Sequence, residues 1–173
     1  MMRPLRGILF LIFAIGFFYQ CDKGLSPIEK PPPPTVEDSI TGISGTIYFT
    51  NWPPPDSLFE LRIVVFKKFP PENLIVEILT GEAFIYPTAL EDTVSLPFYV
   101  DSLQYAFELE PRTYEYLVVA QRYGPNRALD WRAVGQYDTD EDSLPSPFTV
   151  IDSVLLKNIN VYVDFKHLPI QPF

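Results

Sequence analysis

The sequence predicts an all-β domain, an antiparallel Greek-key β-sandwich of about seven to nine strands, placed after an N-terminal signal helix and a proline-rich linker. Two observations carry this prediction. From Ile40 onward the chain consists of short runs in which apolar and polar residues alternate, as in half-buried strands. Proline, asparagine, aspartate and glycine interrupt these runs roughly every 8–14 residues, which is typical of the turns in an antiparallel sheet.

The predicted strands follow one another between residues 42 and 165. Their ranges are Gly42–Thr50, Glu60–Phe69, Ala83–Tyr86, Thr93–Val100, Leu103–Leu109, Thr113–Arg122, Trp131–Tyr137, Phe148–Ile151 and Ile159–Phe165. In the first strand Ile43, Ile47 and Phe49 share one face, which we expect to be buried. Glu72–Thr80 is the one segment after the N-terminus whose pattern fits a helix as well as a strand.

Length and composition restrict the kind of protein that this chain forms. Its 173 residues are 47% hydrophobic and 15% aromatic, which suits about one folded domain and excludes a disordered chain. The formal net charge is −9, so the surface repels phosphates and nucleic acid is excluded as a general partner. One cysteine and one histidine exclude an internal disulfide, a cysteine-built metal site and any site that needs two histidines.

Residues 1–20 have the pattern of a secretory signal peptide. Arg3 and Arg6 precede the uncharged run Ile8–Tyr19, which is shorter than the roughly 20 residues of a membrane-spanning helix. Cys21, the only cysteine, follows directly. This arrangement resembles a bacterial lipoprotein signal, which implies cleavage before Cys21, lipidation of that residue and attachment to the cell envelope. An uncleaved anchor and secretion with a free thiol are the alternatives.

Residues 21–39 are predicted to form a disordered, proline-rich tether, and residues 40–173 to form one β-sandwich domain. Pro31–Pro34 cannot donate backbone hydrogen bonds and favour an extended polyproline conformation. Such a segment suits a spacer that lifts a domain off a membrane.

A short motif late in the sequence predicts the packing of one tyrosine. Leu109 and Pro111 precede Tyr114, which enters a predicted strand. This spacing resembles the tyrosine corner of Greek-key sandwiches, in which the ring is buried and the hydroxyl bonds to nearby backbone. Together with the glycine-marked strand Gly42–Ile47, it resembles the carboxypeptidase-regulatory or transthyretin-like family. The resemblance implies a sandwich of about seven strands with an accessory or structural role in the envelope, and it carries no activity.

Alternating aspartates form a candidate calcium site. Asp138, Asp140 and Asp142 match the first half of a calcium-binding loop, in which carboxylates converge on one hard cation. Ser143 replaces the glycine of that pattern, and Thr149 replaces its closing glutamate. Calcium is therefore the one cofactor that the sequence suggests, and a solvated acidic loop is the alternative.

Aromatic residues in loops form a candidate ligand site. Trp52 lies in a proline-rich segment, and Tyr123 and Trp131 flank a turn. Exposed aromatic faces can stack on sugar rings or anchor a protein partner. Sugar binding needs these rings exposed on one face, whereas a purely structural module would bury Trp131 in its core.

The sequence contains few candidate catalytic residues. A catalytic triad would depend on His167, which lies near the C-terminus, and no serine has the context of a nucleophile. We therefore predict a non-catalytic, envelope-anchored lipoprotein whose domain has a structural or protein-interaction role. The alternative is a carbohydrate-binding surface module that calcium could stabilise, so the expected partners are a membrane and an envelope protein or glycan.

Overall fold

A computed structural model describes residues 40–88, 94–140 and 142–173 of the chain. The predicted signal at residues 1–20, the lipidation site Cys21 and the tether at residues 21–39 lie outside the described residues. No helix in the described ranges is both long and apolar enough to cross a membrane.

The described residues form a mostly β domain with ten strands and one α-helix. In chain order these are β1 (Gly42–Thr50), β2 (Glu60–Phe66), α1 (Leu74–Thr80), β3 (Ala83–Tyr86), β4 (Ser102–Glu108), β5 (Thr113–Tyr114), β6 (Tyr116–Arg122), β7 (Trp131–Gln136), β8 (Phe148–Thr149), β9 (Leu155–Leu156) and β10 (Val161–Asp164). A short 3-10 turn, Pro55–Ser57, precedes β2. The prediction of a mainly β domain is confirmed.

Most strands belong to one curled mixed sheet. Its order is β3-β2-β6-β7-β10-β1-β4, with β9 beside β1, while β5 and β8 pair separately. The sheet differs from the predicted antiparallel arrangement because β1 pairs in parallel with β10 and with β9. Parallel neighbours need a long crossover connection. Here almost the whole domain supplies it, since β1 is the first strand and β10 is the last.

The centre of the sheet is buried on both faces. Every residue of β2 and of β6 is buried, so neither strand shows the alternation of a half-exposed strand. One face packs into the main core with Leu61, Ile63 and Leu117. The other face forms a second cluster, in which Val64 and Phe66 pack with Leu74 of α1. The second face of the sheet must therefore also be covered, and α1 covers part of it.

The segment predicted as a strand at Thr93–Val100 contains no strand over its described residues 94–100. Pro97 lacks the N–H that a ladder requires, and Tyr99 has a left-handed φ of 58°. The segment instead makes isolated bonds: the Leu96 N–H donates to the Leu61 carbonyl at 2.9 Å. The Trp52 indole donates to the Val100 carbonyl at 3.0 Å.

The ambiguous segment at residues 72–80 contains the helix α1. Asn73 caps its N-terminus, since the Asn73 side chain accepts a hydrogen bond from the Val76 N–H at 3.0 Å. Gly81 ends the helix with a φ of 75°, and its N–H bonds to carbonyls of the last turn. These two local signals decide between helix and strand.

The predicted tyrosine corner is confirmed. Tyr114 is fully buried, and its hydroxyl donates to the Glu110 carbonyl at 3.1 Å. The ring stacks on Phe148 at a centroid distance of 5.6 Å, which joins β5 to β8. Burial raises the pKa of Tyr114 from 10.0 to about 12, and the nearby Arg112 opposes that rise.

Replacing Tyr114 by Phe removes one hydrogen bond and one buried titratable group. We expect the free energy of unfolding at pH 7 to fall by about 1 kcal/mol. Because the folded-state pKa is raised, the wild-type tyrosine contributes stability that is fully present below pH 10 and is lost as the pH rises towards 12. The variant should therefore lose less stability than wild type over that window, as measured by urea unfolding at several pH values.

Tyr48→Phe is the matched control, because Tyr48 is exposed on the outer face of β1. We expect its unfolding free energy to stay within about 0.5 kcal/mol of wild type. Equal alkaline losses in Tyr114→Phe and wild type would contradict the assignment.

Candidate functional site

A cavity of about 320 Å³ lies between α1, the strands β2 and β3, and the loop that joins β6 to β7. We call it the α1 cavity. Its volume is near the lower end of the range of roughly 300–1,000 Å³ typical of ligand pockets. Its walls are mainly apolar, with charged groups on one side. It is lined by Glu60, Arg62, Val64, Leu74, Ile75, Ile78, Leu79, Ile85, Arg127, Ala128 and Trp131.

The helix forms one wall and leaves most of its apolar surface uncovered. Five of its seven residues are aliphatic, yet only Leu74 is buried. Ile75 and Ile78 line the cavity and are half-buried. Val76 is 54% exposed and Leu79 is 73% exposed. Exposed apolar surface gathered around a concave site is typical of a binding surface.

A buried ion-pair network forms the charged side of the cavity. Glu60 is 1% exposed, Arg62 is 3% exposed and Arg122 is 7% exposed. One Glu60 oxygen accepts from the Arg62 Nε, and the other accepts from the Arg122 Nε at 3.1 Å. The two guanidinium groups face one carboxylate from the neighbouring strands β2 and β6. Buried charges need such pairing, since leaving water costs several kcal/mol per ion.

The same arginines bind backbone carbonyls in two further segments. Arg62 donates to the Pro87 carbonyl and, through Nη2, to the Val94 carbonyl at 2.7 Å. Arg122 donates to the Gly124 carbonyl at 3.3 Å. The network therefore fixes the chain after β3 and the start of the β6–β7 loop around the cavity.

The β6–β7 loop places an exposed arginine at the mouth of the cavity. The Asp130 carboxylate accepts from the Asn126 N–H at 2.7 Å, and the Asn126 carbonyl accepts from the Asp130 N–H at 2.9 Å. The Trp131 indole donates to the Arg127 carbonyl at 2.7 Å. These bonds order the loop, so Arg127 and the half-buried Trp131 sit together in the cavity lining.

The three aromatic residues predicted to bind a ligand lie in different surroundings. Trp52 packs on the main core, with its ring 4.9 Å from Phe49 and 4.8 Å from Phe165. Tyr123 is 41% exposed and lies beside the Arg132 guanidinium. Trp131 packs against the second cluster and lines the α1 cavity. Ligand binding by these residues stays a prediction.

The predicted calcium ligands lie close together. One carboxylate oxygen from each of Asp138, Asp140 and Asp142 lies within 4.8 Å of the others. Asp138 and Asp142 already accept backbone hydrogen bonds within the loop, at 3.2 and 2.7 Å. Ser143 has a left-handed φ of 68° at the position where calcium-binding loops have a glycine. Calcium binding stays a prediction. Comparing the melting temperature of metal-stripped protein with and without added calcium would test it.

His167, the residue on which a triad would depend, lies outside the cavity lining. Its side chain is exposed, and its Nδ1 lies 2.8 Å from an Asp164 carboxylate oxygen. Hydrogen bonds from His167, the Lys166 N–H and Asn51 hold the pKa of Asp164 well below its usual range. His167 and Asp164 therefore belong to an exposed turn at the end of β10.

Sequence reasoning missed the α1 cavity and its charged network. One signal was present: Glu60 and Arg62 are charged residues two positions apart in an otherwise apolar strand, so both side chains point to one buried face. Arg122, the second partner of Glu60, lies 62 residues after it in the chain, and only the strand register brings the two together.

Comparison with family models, curated proteins and solved structures found no match to this chain. The geometry and chemistry of the described residues therefore carry the functional argument.

Replacing Glu60 by Gln removes the one carboxylate that the described residues bring to the buried network, while keeping the size of the side chain. Because Arg62 and Arg122 then each lose a buried ion pair, we expect the unfolding free energy to fall by about 3–5 kcal/mol. Chemical denaturation followed by circular dichroism measures this change.

Glu82→Gln is the matched control. It removes an ion pair of 3.4 Å with Lys67, and the Glu82 side chain is half exposed. Its loss should stay below about 1 kcal/mol. Similar losses in the two variants would show that breaking the buried network costs no more than breaking a surface ion pair.

Proposed function

We propose that this protein is a non-catalytic binding module of the bacterial cell envelope, anchored through a lipid on Cys21, and that the α1 cavity is its ligand site. The observation that carries the binding half of this proposal is the cavity itself. It joins apolar walls to a few fixed charged groups, the combination by which ligand pockets achieve both affinity and orientation.

The uncovered helix supports a binding role over a purely structural one. A structural domain gains nothing from leaving Leu79 of the cavity lining in water, and covering aliphatic surface is favourable by roughly 25 cal/mol per Å². A ligand that enters beside Ile78 would bury part of this surface. The helix therefore supplies a driving force for binding.

The charged residues of the cavity suit binding better than proton transfer. Both carboxylate oxygens of Glu60 are engaged by arginines. Arg62 and Arg127 offer hydrogen-bond donors and no acceptor, so their role in the cavity lining would be to orient a ligand. We therefore assign these residues to recognition.

The anchoring half of the proposal rests on the sequence. Arg3, Arg6 and the apolar run Ile8–Tyr19 precede Cys21, and the proline-rich residues 21–39 would separate the lipid from the domain. We also propose that the curled sheet and the β5–β8 pair form a Greek-key sandwich of the transthyretin-like kind, which the tyrosine corner supports. Partners in this setting would be an envelope protein or glycan.

Filling the cavity should abolish binding of a neutral apolar probe. In Ile78→Phe the larger ring occupies the cavity, so we expect the affinity for 1-octanol to fall about tenfold or more. Equilibrium dialysis of labelled octanol against the full chain in lipid nanodiscs measures this change, with empty nanodiscs as the blank.

Val76→Phe is the control, because Val76 lies on the same helix but outside the cavity lining. Its octanol affinity should stay within about twofold of wild type. If wild type binds no more octanol than empty nanodiscs, the α1 cavity is not a ligand site.

The anchor is tested separately by replacing Cys21 with Ser. Wild-type protein should begin at Cys21, carry added acyl mass and partition into membranes, since buried acyl CH₂ groups contribute about 0.8 kcal/mol each. We expect Cys21→Ser to lose the acyl mass, as measured by intact mass spectrometry and membrane fractionation.

Gly24→Ser changes a neighbouring residue of the tether and should retain both the acyl mass and the membrane fraction. An unmodified wild-type chain, distributed like Cys21→Ser, would overturn the lipoprotein assignment and leave the binding site untouched.

A further inference from the structure

The strand β4 forms one edge of the large sheet. Among the described strands it is last in the strand order, and it pairs on one side with β1. The Phe49 N–H donates to the Asp101 carbonyl at 2.9 Å, and the Leu109 N–H donates to the Thr41 carbonyl at 3.1 Å. Because bonding alternates along an antiparallel pair, the odd-numbered residues from Asp101 to Leu109 bond to β1. The backbone groups of the even-numbered residues therefore point away from the sheet.

Four residues carry these outward backbone groups: Ser102, Gln104, Ala106 and Glu108. All four residues are exposed, and within the described part of the chain their N–H groups have no hydrogen-bond partner. A groove of about 550 Å³ borders Gln104 and Ala106, so open volume lies beside the middle of the strand. The edge of β4 is thus a row of donors and acceptors that a further strand could pair with.

The edge of β4 lacks the features by which proteins usually prevent strand addition, such as lysine, proline or a bulge. The strand has seven residues, contains neither lysine nor proline, and pairs with β1 without a shift in register. The other edge strand, β3, has only four residues and is followed by Pro87, which has no N–H to donate. Of the two edges, β4 is therefore the one suited to accept a strand.

Acidic residues flank this edge and select the partner. Asp101 precedes β4, Glu108 ends it, and Glu110 follows two positions later. All three side chains are exposed. A second copy of this chain would bring the same acids and a net charge of −9, so its approach to this edge is disfavoured. A strand with basic residues near its ends is attracted instead.

The basic residues nearest to the edge are held elsewhere. Lys157 lines the groove from a segment beyond β1, where the Ile159 N–H donates to the Ser44 carbonyl at 3.0 Å. At about 4.8 Å per strand, the backbone of this segment would lie three spacings, roughly 14 Å, from a strand added to β4. Arg112 lies over the Tyr114 ring, 5.8 Å from its centroid. The acids therefore dominate the charge beside β4.

We propose that β4 binds an extended segment of a partner protein, which adds a strand to this edge and carries a lysine or arginine near each end. Main-chain hydrogen bonds between Ser102 and Glu108 supply affinity, and the acids supply preference. The α1 cavity is lined from β2 and β3, at the opposite end of the strand order. This surface is therefore independent of the ligand site proposed above.

Two peptides of the length of β4 test the proposal. Both have a core of alternating threonine and valine, and they end in lysines or in glutamates. In fluorescence anisotropy with the full chain in neutral lipid nanodiscs, we expect the lysine peptide to bind about tenfold more tightly than the glutamate peptide. Hydrogen exchange at the Gln104 and Ala106 N–H groups, followed by nuclear magnetic resonance, should slow when the lysine peptide is added. Empty nanodiscs are the blank.

Replacing Ala106 by Pro removes one outward N–H, while the bonds from β4 to β1 come from the odd-numbered residues. We expect the affinity for the lysine peptide to fall about tenfold or more. Ala106→Thr keeps the N–H at the same exposed position and should stay within about twofold of wild type. If Ala106→Pro is folded by circular dichroism and binds as wild type does, strand addition at β4 is wrong.

The charge preference is tested without changing the backbone. Asp101→Asn combined with Glu108→Gln should bring the affinities of the two peptides within about twofold of each other. Asp56→Asn combined with Glu72→Gln removes the same two types of exposed acid beside β2 and α1. This control should keep the tenfold preference.

The remaining outcomes would each overturn the proposal. Equal binding of the two peptides by wild type would exclude a basic partner. Slow exchange at Gln104 and Ala106 before any peptide is added, which becomes fast on dilution, would assign the edge to a second copy. Binding of the lysine peptide no stronger than to empty nanodiscs would exclude the surface itself. Ile78→Phe, which fills the α1 cavity, should bind the lysine peptide as wild type does, so the two sites fail separately.

Discussion

The ion-pair network of Glu60, Arg62 and Arg122 is the constraint on which the structure around the α1 cavity depends. It joins β2 to β6 through side chains, beyond the backbone ladder that already pairs them. The arginines also bind the carbonyls of Pro87, Val94 and Gly124, so one network fixes two connections, β3 to β4 and β6 to β7. A buried apolar set of equal volume could be as stable, but it would not hold these carbonyls. The network therefore specifies the geometry of the cavity more than it adds stability.

Burial of the central sheet on both faces explains why a cavity exists at this place. The main core fills one face, whereas the second face is covered by a helix of seven residues, about 10 Å long. Such a helix is shorter than the surface that β2 and β3 present. Leu74 closes the gap at one position, and beyond it Ile75 and Ile78 border open volume instead of packed side chains. The cavity is the part of the second face that α1 does not fill.

The features that the sequence predicted are local, and those it missed depend on distant contacts. Strand β1 was predictable because its apolar and polar residues alternate, and the Tyr114 corner because its turn lies only a few residues away. Both signals are local. The strand expected at Thr93–Val100 was wrong over its described part because Pro97 and the left-handed Tyr99 outweigh the apolar composition. The parallel pairing of β1 with β10 joins residues more than a hundred positions apart, which no local pattern reveals.

If the α1 cavity is the ligand site that we propose, the weakness of α1 couples ligand binding to order in this part of the domain. Ile75, Val76 and Ile78 are β-branched and disfavour a helix, and two caps with one buried leucine hold it in place. An apolar ligand between α1 and Val64 would add the apolar contacts that the helix lacks. Since a ligand that binds only the ordered state stabilises that state, occupancy and helix order must rise together. The same incomplete packing that leaves α1 weakly held thus leaves the apolar surface that the proposed ligand would cover.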